Sequence, residues 1–359
     1  MSEKTPEIGG TAQVALVGAG PIGVELAVAL KRAGVDYQHF EAGQLGHTLT
    51  WWPRDTIFFS SPERIMIAGV PLHTAGQRHP TGEEYLAYLR AVVQQFDLQI
   101  HFYQPVRRIE RLESGFCLIT ERHGRLLAYR AEKVVLAVGG MHFPNWLGIP
   151  GEDLPHVSHY YRDPHDYFRQ EVLVVGGRNS AVEAALRCWR AGAKVTLSYR
   201  GPAIEREQVK PALLADLDTV VREGNLRLLT GTVPVEIKPG EVELACTGPD
   251  GQPAGGRRMR VKADFVLLMT GYSMDTTLFE QLGVNLTGEE RAPQYNPETM
   301  ETNVPGVFVA GVAAGGRQRK FRHFIETSHV HIPRIFTALT GQPYTGPLVE
   351  PGAKTSETA

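Results

Sequence analysis

The chain is poor in cysteine. Its 359 residues hold only Cys117, Cys188 and Cys246, spaced too widely for any CxxC redox or zinc pair. An odd, sparse set suits a reducing cytoplasm. Charge of one sign is also lacking: 37 Lys and Arg face 39 Asp and Glu, a net −2. No basic excess exists to hold a phosphate backbone, so nucleic acid is not expected as a partner. The start, MSEKTPEIGG, has no apolar signal-peptide core. The apolar stretch that follows, 12–30, is broken by Gly18, Gly20, Pro21, Gly23 and Glu25, which excludes a membrane span there. Thirteen histidines include no HxxxH or HExxH pair, so no metal is expected. A soluble cytoplasmic protein is expected. Its 42% hydrophobic and 21% charged residues are those of an ordinary globular chain, long enough for two domains.

Glycine is abundant, at 38 residues, and it concentrates in two strand–glycine–helix units. In the first, the apolar run Val14–Val17 predicts a buried parallel strand. Gly18-x-Gly20-x-x-Gly23 follows, with Pro21 inside it, and then a helix that stops at Gly34. Gly18 permits the tight turn, Gly20 lets backbone approach a pyrophosphate, and Gly23 lets the helix pack on the strand. The helix N-terminus offers N–H groups and partial positive charge to phosphate. A second strand, 37–41, ends in Glu41, placed to accept hydrogen bonds from ribose hydroxyls. An acid there, in the N-terminal unit of a chain with two such units, suits the adenosine of FAD.

The second unit runs through the strand 172–175, the loop Gly176-Gly-Arg178-Asn179-Ser180-Ala181, a helix to about Gly192 and the strand 194–200. Arg178 replaces the middle glycine and offers a guanidinium to phosphate. No acid ends the second strand. Tyr199 and Arg200 stand there, with Arg206 just beyond. A guanidinium pairs with a 2′-phosphate that an acid would repel, which favours NADPH over NADH.

Between these units the pattern predicts a helix over 83–96, a strand over 98–103, a β-meander over 116–129 and a buried strand ending at Gly139. A matching strand ends at Gly271. The stretches 141–155 and 286–297 read as linkers; a strand over 307–309 and a helix around 324–339 follow. The expected fold class is α/β, with two Rossmann-like dinucleotide-binding domains. Residues 1–145 and 291–350 form a discontinuous FAD domain, 146–290 an inserted NADPH domain, and 351–359 a tail. A homo-oligomer, dimer or tetramer, is expected.

VALVGAGPIGVE, KVVLAVGG, VLVVGGRNSAVEAAL, VLLMTGY and ETNVPGVFVAGVAAGG together resemble the two-dinucleotide-domain flavoproteins that include thioredoxin reductase. Phe58-Phe-Ser-Ser-Pro, Leu154-Pro-His-Val-Ser-His-Tyr-Tyr, Ser198-Tyr-Arg-Gly and Phe324-Ile-Glu are similar to the bacillithiol disulfide reductase type. The resemblance implies FAD on Gly18, Gly20, Gly23 and Glu41, with flavin contacts near Thr48, Trp51, Ser60, Val106, Gly139, Gly311 and Val312. It implies NADPH on Gly176, Asn179, Ser180, Arg200 and Arg206. Val312 stands where thioredoxin reductases carry Asp, so the ribityl hydrogen bond of that Asp is either missing or supplied by backbone. The resembling subfamily also carries a cysteine where this chain has Ile22, and Ile forms no thiolate. Cys117, Cys188 and Cys246 read as buried and inert.

His331 matches a histidine of that subfamily and is the candidate proton donor, weighed against an inert place on a helix surface. A basic run, Arg317-Gln-Arg319-Lys320-Phe-Arg322, offers a face to an acidic partner, although a solvated loop accounts for it too. The implied activity is hydride transfer from NADPH to FAD and on to an acceptor, a low-molecular-weight disulfide by resemblance. The alternatives are a redox protein such as ferredoxin as acceptor, a flavin monooxygenase, whose linker motif Leu154, His156 and Tyr160 fit poorly, and a non-catalytic redox sensor.

Overall fold

The computed structural model describes residues 6–317 and 323–348. They fall into two compact units. The first comprises the described residues up to Trp51, Asp55–Phe143 and those from Tyr272 onward; the second comprises Trp52–Arg54 and Pro144–Gly271.

In the first unit the strand Glu7–Val17 lies between parallel neighbours Tyr37–Phe40 and Arg125–Leu136. Val307–Val309 pairs with the end of Arg125–Leu136, also parallel. The near-continuous apolar run Val14–Val17 is buried on both faces, as a central parallel strand requires. Phe116–Arg122 and Val106–Arg111 extend the sheet antiparallel, forming the expected meander. The helix Pro21–Arg32 opens on Gly20 as N-cap with Pro21 in the first turn, where a missing N–H costs nothing. The helix Gly82–Gln95 starts at a capping box between Thr81 and Glu84.

The second unit is a five-stranded parallel sheet. Its order is Arg227–Thr230, Lys194–Tyr199, Glu171–Val175, Phe265–Leu268 and Val157–Ser158. The helices Asn179–Arg190 and Pro211–Arg222 bury Val182, Leu186, Leu214 and Leu217 in one core with this sheet. A three-stranded antiparallel sheet, Thr232–Lys238, Gly240–Thr247 and Pro253–Ala263, shares a second core with it through Leu173, Val175, Leu244 and Val261.

Several expectations are corrected. The inserted unit ends at Gly271, not at residue 290: Thr277–Gln281 packs in the first unit, where Gln281 Oε1 accepts the Ile109 N–H at 3.1 Å. Residues 98–103 form no strand. His101 makes a single bridge to Phe40, and Tyr103 turns the chain at φ +53°. Residues 286–297 are not a bare linker but carry the strand pair Leu286–Thr287 and Ala292–Pro293. In the other linker, Glu152 orders the backbone by accepting the Leu147 and Gly148 N–H groups, each at 2.7 Å. The helix expected over 324–339 is two helices, Ile325–Ser328 and His331–Thr340. Cys188 is buried, but Cys117 and Cys246 are only half-buried. Gln318–Arg322, most of the basic run, and the expected tail lie outside the described residues.

Candidate active site

In the first unit, three parallel strands end in register: Val17 pairs with Leu136, and Leu136 with Val309. Gly18, Gly139 and Gly311 therefore leave one carboxyl edge of the sheet, where ligands of open α/β sheets bind. Each has a positive φ, +107°, +83° and +69°, which a side chain would strain. A Cβ on Gly23 would lie 2.1 Å from the Gly18 carbonyl oxygen, so only glycine lets the helix sit this close. A Cβ on Gly20 would meet nothing within 4 Å. The loop thus presents bare backbone to open space at a helix N-terminus, a cradle that fits a pyrophosphate.

Glu41 is buried beside this loop. Its Oε2 accepts the Ala19 N–H at 2.7 Å and its Oε1 the Gly43 N–H at 2.8 Å. Each oxygen keeps a lone pair for a ribose hydroxyl. His39, to which the sequence assigned no role, lies two residues earlier and is fully buried. Its Nε2 lies 2.8 Å from the Gly18 carbonyl oxygen. Burial lowers its pKa to about 4. Only its spacing from Glu41 could have drawn notice.

The remaining expected flavin contacts are spread along this unit. Gly46 N–H donates to the Ala19 carbonyl at 3.0 Å, which brings the short helix His47–Thr50, with Thr48, up to the glycine loop. Trp51 packs its ring against Tyr272, centroids 5.0 Å apart. Ser60 precedes the helix Pro62–Ile65, and Val106 opens its strand. Val312 meets Gly140, where an added Cβ would lie 3.0 Å from Val312 Cγ1. Ile22 packs against Gly311, where an added Cβ would lie 3.3 Å from the Ile22 Cβ.

His331 is 3% exposed, which overturns the helix-surface alternative. The Gly311 N–H donates to its Nδ1 at 3.0 Å. Burial, then the nearby charges of His323, Arg334 and His329, lower its pKa to about 3. At neutral pH the ring is uncharged, Nδ1 is an acceptor and the proton sits on Nε2.

In the second unit, Gly176 leaves the sheet at φ +144°, and an added Cβ would lie 2.5 Å from the Met269 carbonyl oxygen. Gly271 leaves the neighbouring strand with φ +89°. Arg178 is the N-cap of the helix Asn179–Arg190, and its side chain is exposed, as is Ser180. Asn179 Oδ1 accepts the Lys210 N–H at 2.8 Å. Tyr199 lays its ring against Gly177 and Gly201, and its hydroxyl donates to Glu205 at 2.6 Å. Burial and that hydrogen bond push the phenol up to about 12, against the pull of Arg200 and Arg178. Arg200 is exposed and lies along Gly251. Arg206 differs: its guanidinium grips Asp218 through contacts of 3.0 and 3.4 Å.

Among the described residues, no cluster of three His, Cys, Asp or Glu could hold a metal ion, and no helix is long and apolar enough to cross a membrane.

The model of a family described as pyridine nucleotide-disulphide oxidoreductase matches residues 15–311. Bacilliredoxin reductase Bdr of Bacillus subtilis is 35% identical over 318 residues, covering 88% of this chain and 94% of that protein. A ferredoxin–NADP reductase of Ignicoccus hospitalis is 29% identical, covering 82% and 88%. The solved structure of bacillithiol disulfide reductase Bdr from Bacillus cereus matches with a TM-score of 0.86 and 31% identity, covering 92% of this chain and 99% of that one. The solved structure of T. acidophilum thioredoxin reductase shares the fold at a TM-score of 0.69 and 19% identity, covering 92% of this chain and 97% of that one.

Proposed function

The chain belongs to the pyridine nucleotide-disulphide oxidoreductase family and is an NADPH-dependent, FAD-containing oxidoreductase; on that premise we propose that it reduces a low-molecular-weight disulfide of the bacillithiol disulfide class. The balance is NADPH, a proton and one disulfide giving NADP⁺ and two thiols. The observation that carries the acceptor is the likeness to the two Bdr proteins, sustained over nearly the whole of each. Bound FAD supplies the two-electron relay between nicotinamide and disulfide.

The chain's own residues bind, orient and hold protons. Gly18–Gly23 and Glu41 hold the pyrophosphate and ribose of FAD. Gly139, Gly311 and Val312 offer backbone, and Thr48, Trp51, Ser60 and Val106 complete the flavin surround. Gly176, Asn179 and Ser180 receive the NADPH pyrophosphate, and Arg178 and Arg200 its charged groups. Arg206 serves by holding Asp218. His331, neutral with its proton on Nε2, donates a hydrogen bond toward the reacting atoms. Ile22 leaves the glycine loop without a thiol, so the disulfide is reduced without a nucleophile there. Sparse cysteines support work in a reducing cytoplasm.

A ferredoxin-type protein acceptor is the second reading, favoured by the Ignicoccus relative. Anaerobic reduction by NADPH followed by mixing with bacillithiol disulfide, a ferredoxin or oxygen separates them. Fastest reoxidation by the disulfide is expected; fastest reoxidation by ferredoxin would replace the acceptor proposed above.

A further inference from the structure

The peptide unit joining Gly18 to Ala19 is gripped at both ends. Its carbonyl oxygen lies 2.8 Å from His39 Nε2, and its N–H donates to Glu41 Oε2 at 2.7 Å. The residue between, Phe40, accepts the Gly18 N–H through its carbonyl at 2.8 Å. Three consecutive residues at the end of one strand thus hold one turn of the glycine loop.

A carbonyl only accepts, so Nε2 carries the proton, and Nδ1 of the uncharged ring is a bare acceptor. Nδ1 is buried with no hydrogen-bond partner. Leaving it so costs about 1–3 kcal/mol. An apolar residue at position 39 would avoid that cost and fill the same core, so stability alone does not explain histidine here. The contact with Gly18 does.

Gly18, at φ +107°, has the conformational freedom to let its following peptide flip. A flip would turn the carbonyl oxygen from His39 toward the helix N-terminus and set partial negative charge against an incoming phosphate. We propose that His39 is a positioning residue for the dinucleotide: with Glu41 it clamps the Gly18–Ala19 peptide in the one orientation that leaves the mouth of the loop electropositive. The proposal deepens the assignment of FAD to this loop and rests on it.

Binding of FAD to apoprotein, followed by flavin fluorescence, tests it with two variants. His39→Gln keeps an N–H donor at the reach of Nε2; His39→Asn draws the amide back out of reach of Gly18. The loss of one neutral hydrogen bond predicts an FAD Kd raised about tenfold in His39→Asn and within about threefold of wild type in His39→Gln, with similar thermal midpoints for the two apoproteins. Equal weakening in both, or no weakening in His39→Asn, overturns the clamp. Should His39→Asn not fold, the ¹⁵N spectrum of histidine-labelled wild type decides: an Nε2-protonated, neutral His39 at pH 7 is required, and an Nδ1-protonated ring or an imidazolium contradicts it. Wild-type protein that binds no FAD would instead overturn the FAD assignment.

Discussion

His329 Nδ1 lies 2.7 Å from Glu25 Oε2, joining the helix behind the glycine loop to the chain 304 positions later. The other ring nitrogen, Nε2, lies 3.0 Å from the Arg64 carbonyl oxygen. The Arg64 carbonyl only accepts, so Nε2 carries a proton, and toward an ionised Glu25 carboxylate Nδ1 carries one too, which makes the pair an imidazolium and a carboxylate. Burial opposes the charge, but the hydrogen bond and charge of Glu25 leave the His329 pKa raised. Glu25 Oε1 also accepts the Ala68 N–H at 3.2 Å. The side chains are only 2% and 3% exposed. Removing one partner of such a pair strands a buried charge, at about 3–5 kcal/mol. His329→Leu and Glu25→Leu should each lose that much in urea unfolding, and the double variant should lose less than the sum. Losses under about 1 kcal/mol for either single variant would mean that water already screens the pair.

The pH dependence of stability has a definite sign. His39 and His331 have pKa values lowered from 6.5 to about 4 and about 3. Between pH 6.5 and 4 the unfolded chain therefore binds protons that the native chain refuses. Stability falls as pH drops through that window, by on the order of 3 kcal/mol from each ring. His329 runs the other way: its contribution is complete below 6.5 and is lost as pH rises through its raised native value. Urea midpoints of the apoprotein should fall from pH 7 to pH 4.5, and His331→Gln should flatten the fall. An unchanged slope in that variant would show that His331 is not held neutral.

Arg200 and Arg206 should separate on cofactor choice. Arg206 is occupied by Asp218, whereas Arg200 is exposed along the hairpin turn at Gly251. A charge-assisted contact to a 2′-phosphate is worth about 1.5–3 kcal/mol, so Arg200→Ala should lose one to two decades in kcat/KM for NADPH and little for NADH. Arg206→Ala should change either value by less than about threefold. Equal losses of both cofactors in Arg200→Ala would exclude a 2′-phosphate contact.

Much of the cofactor framework is legible in sequence because its cause is local. Gly18, Gly20 and Gly23 are dictated by φ, open backbone and close packing within six residues of chain, and Glu41 by the length of one helix and strand. Long-range pairing hides the rest. His329 meets Glu25 across nearly the whole chain, and His39 meets Gly18 only because neighbouring strands align them. The single helix expected over 324–339 breaks for a partly local reason. Pro333 has no N–H to give the carbonyl four residues back, so a new helix starts at His331 with Pro333 in its first turn. Residues 98–103 read as a strand, but their ladder pairing is limited to the one bridge between His101 and Phe40, and Tyr103 turns the chain at φ +53°.

The central claim is that electrons pass from NADPH to a disulfide with no protein thiol in the path. Ile22 occupies the loop, burial raises the Cys188 thiol to about 12, and burial with Glu110 raises Cys117. The direct test is a stopped-flow measurement on the FAD-loaded variant lacking all three cysteines, reduced anaerobically by NADPH and mixed with bacillithiol disulfide. Rates of flavin reduction and reoxidation within about threefold of wild type are predicted. Normal reduction with reoxidation slowed by two decades or more, about 2.7 kcal/mol or greater, would place a cysteine of this chain in the path and contradict the account.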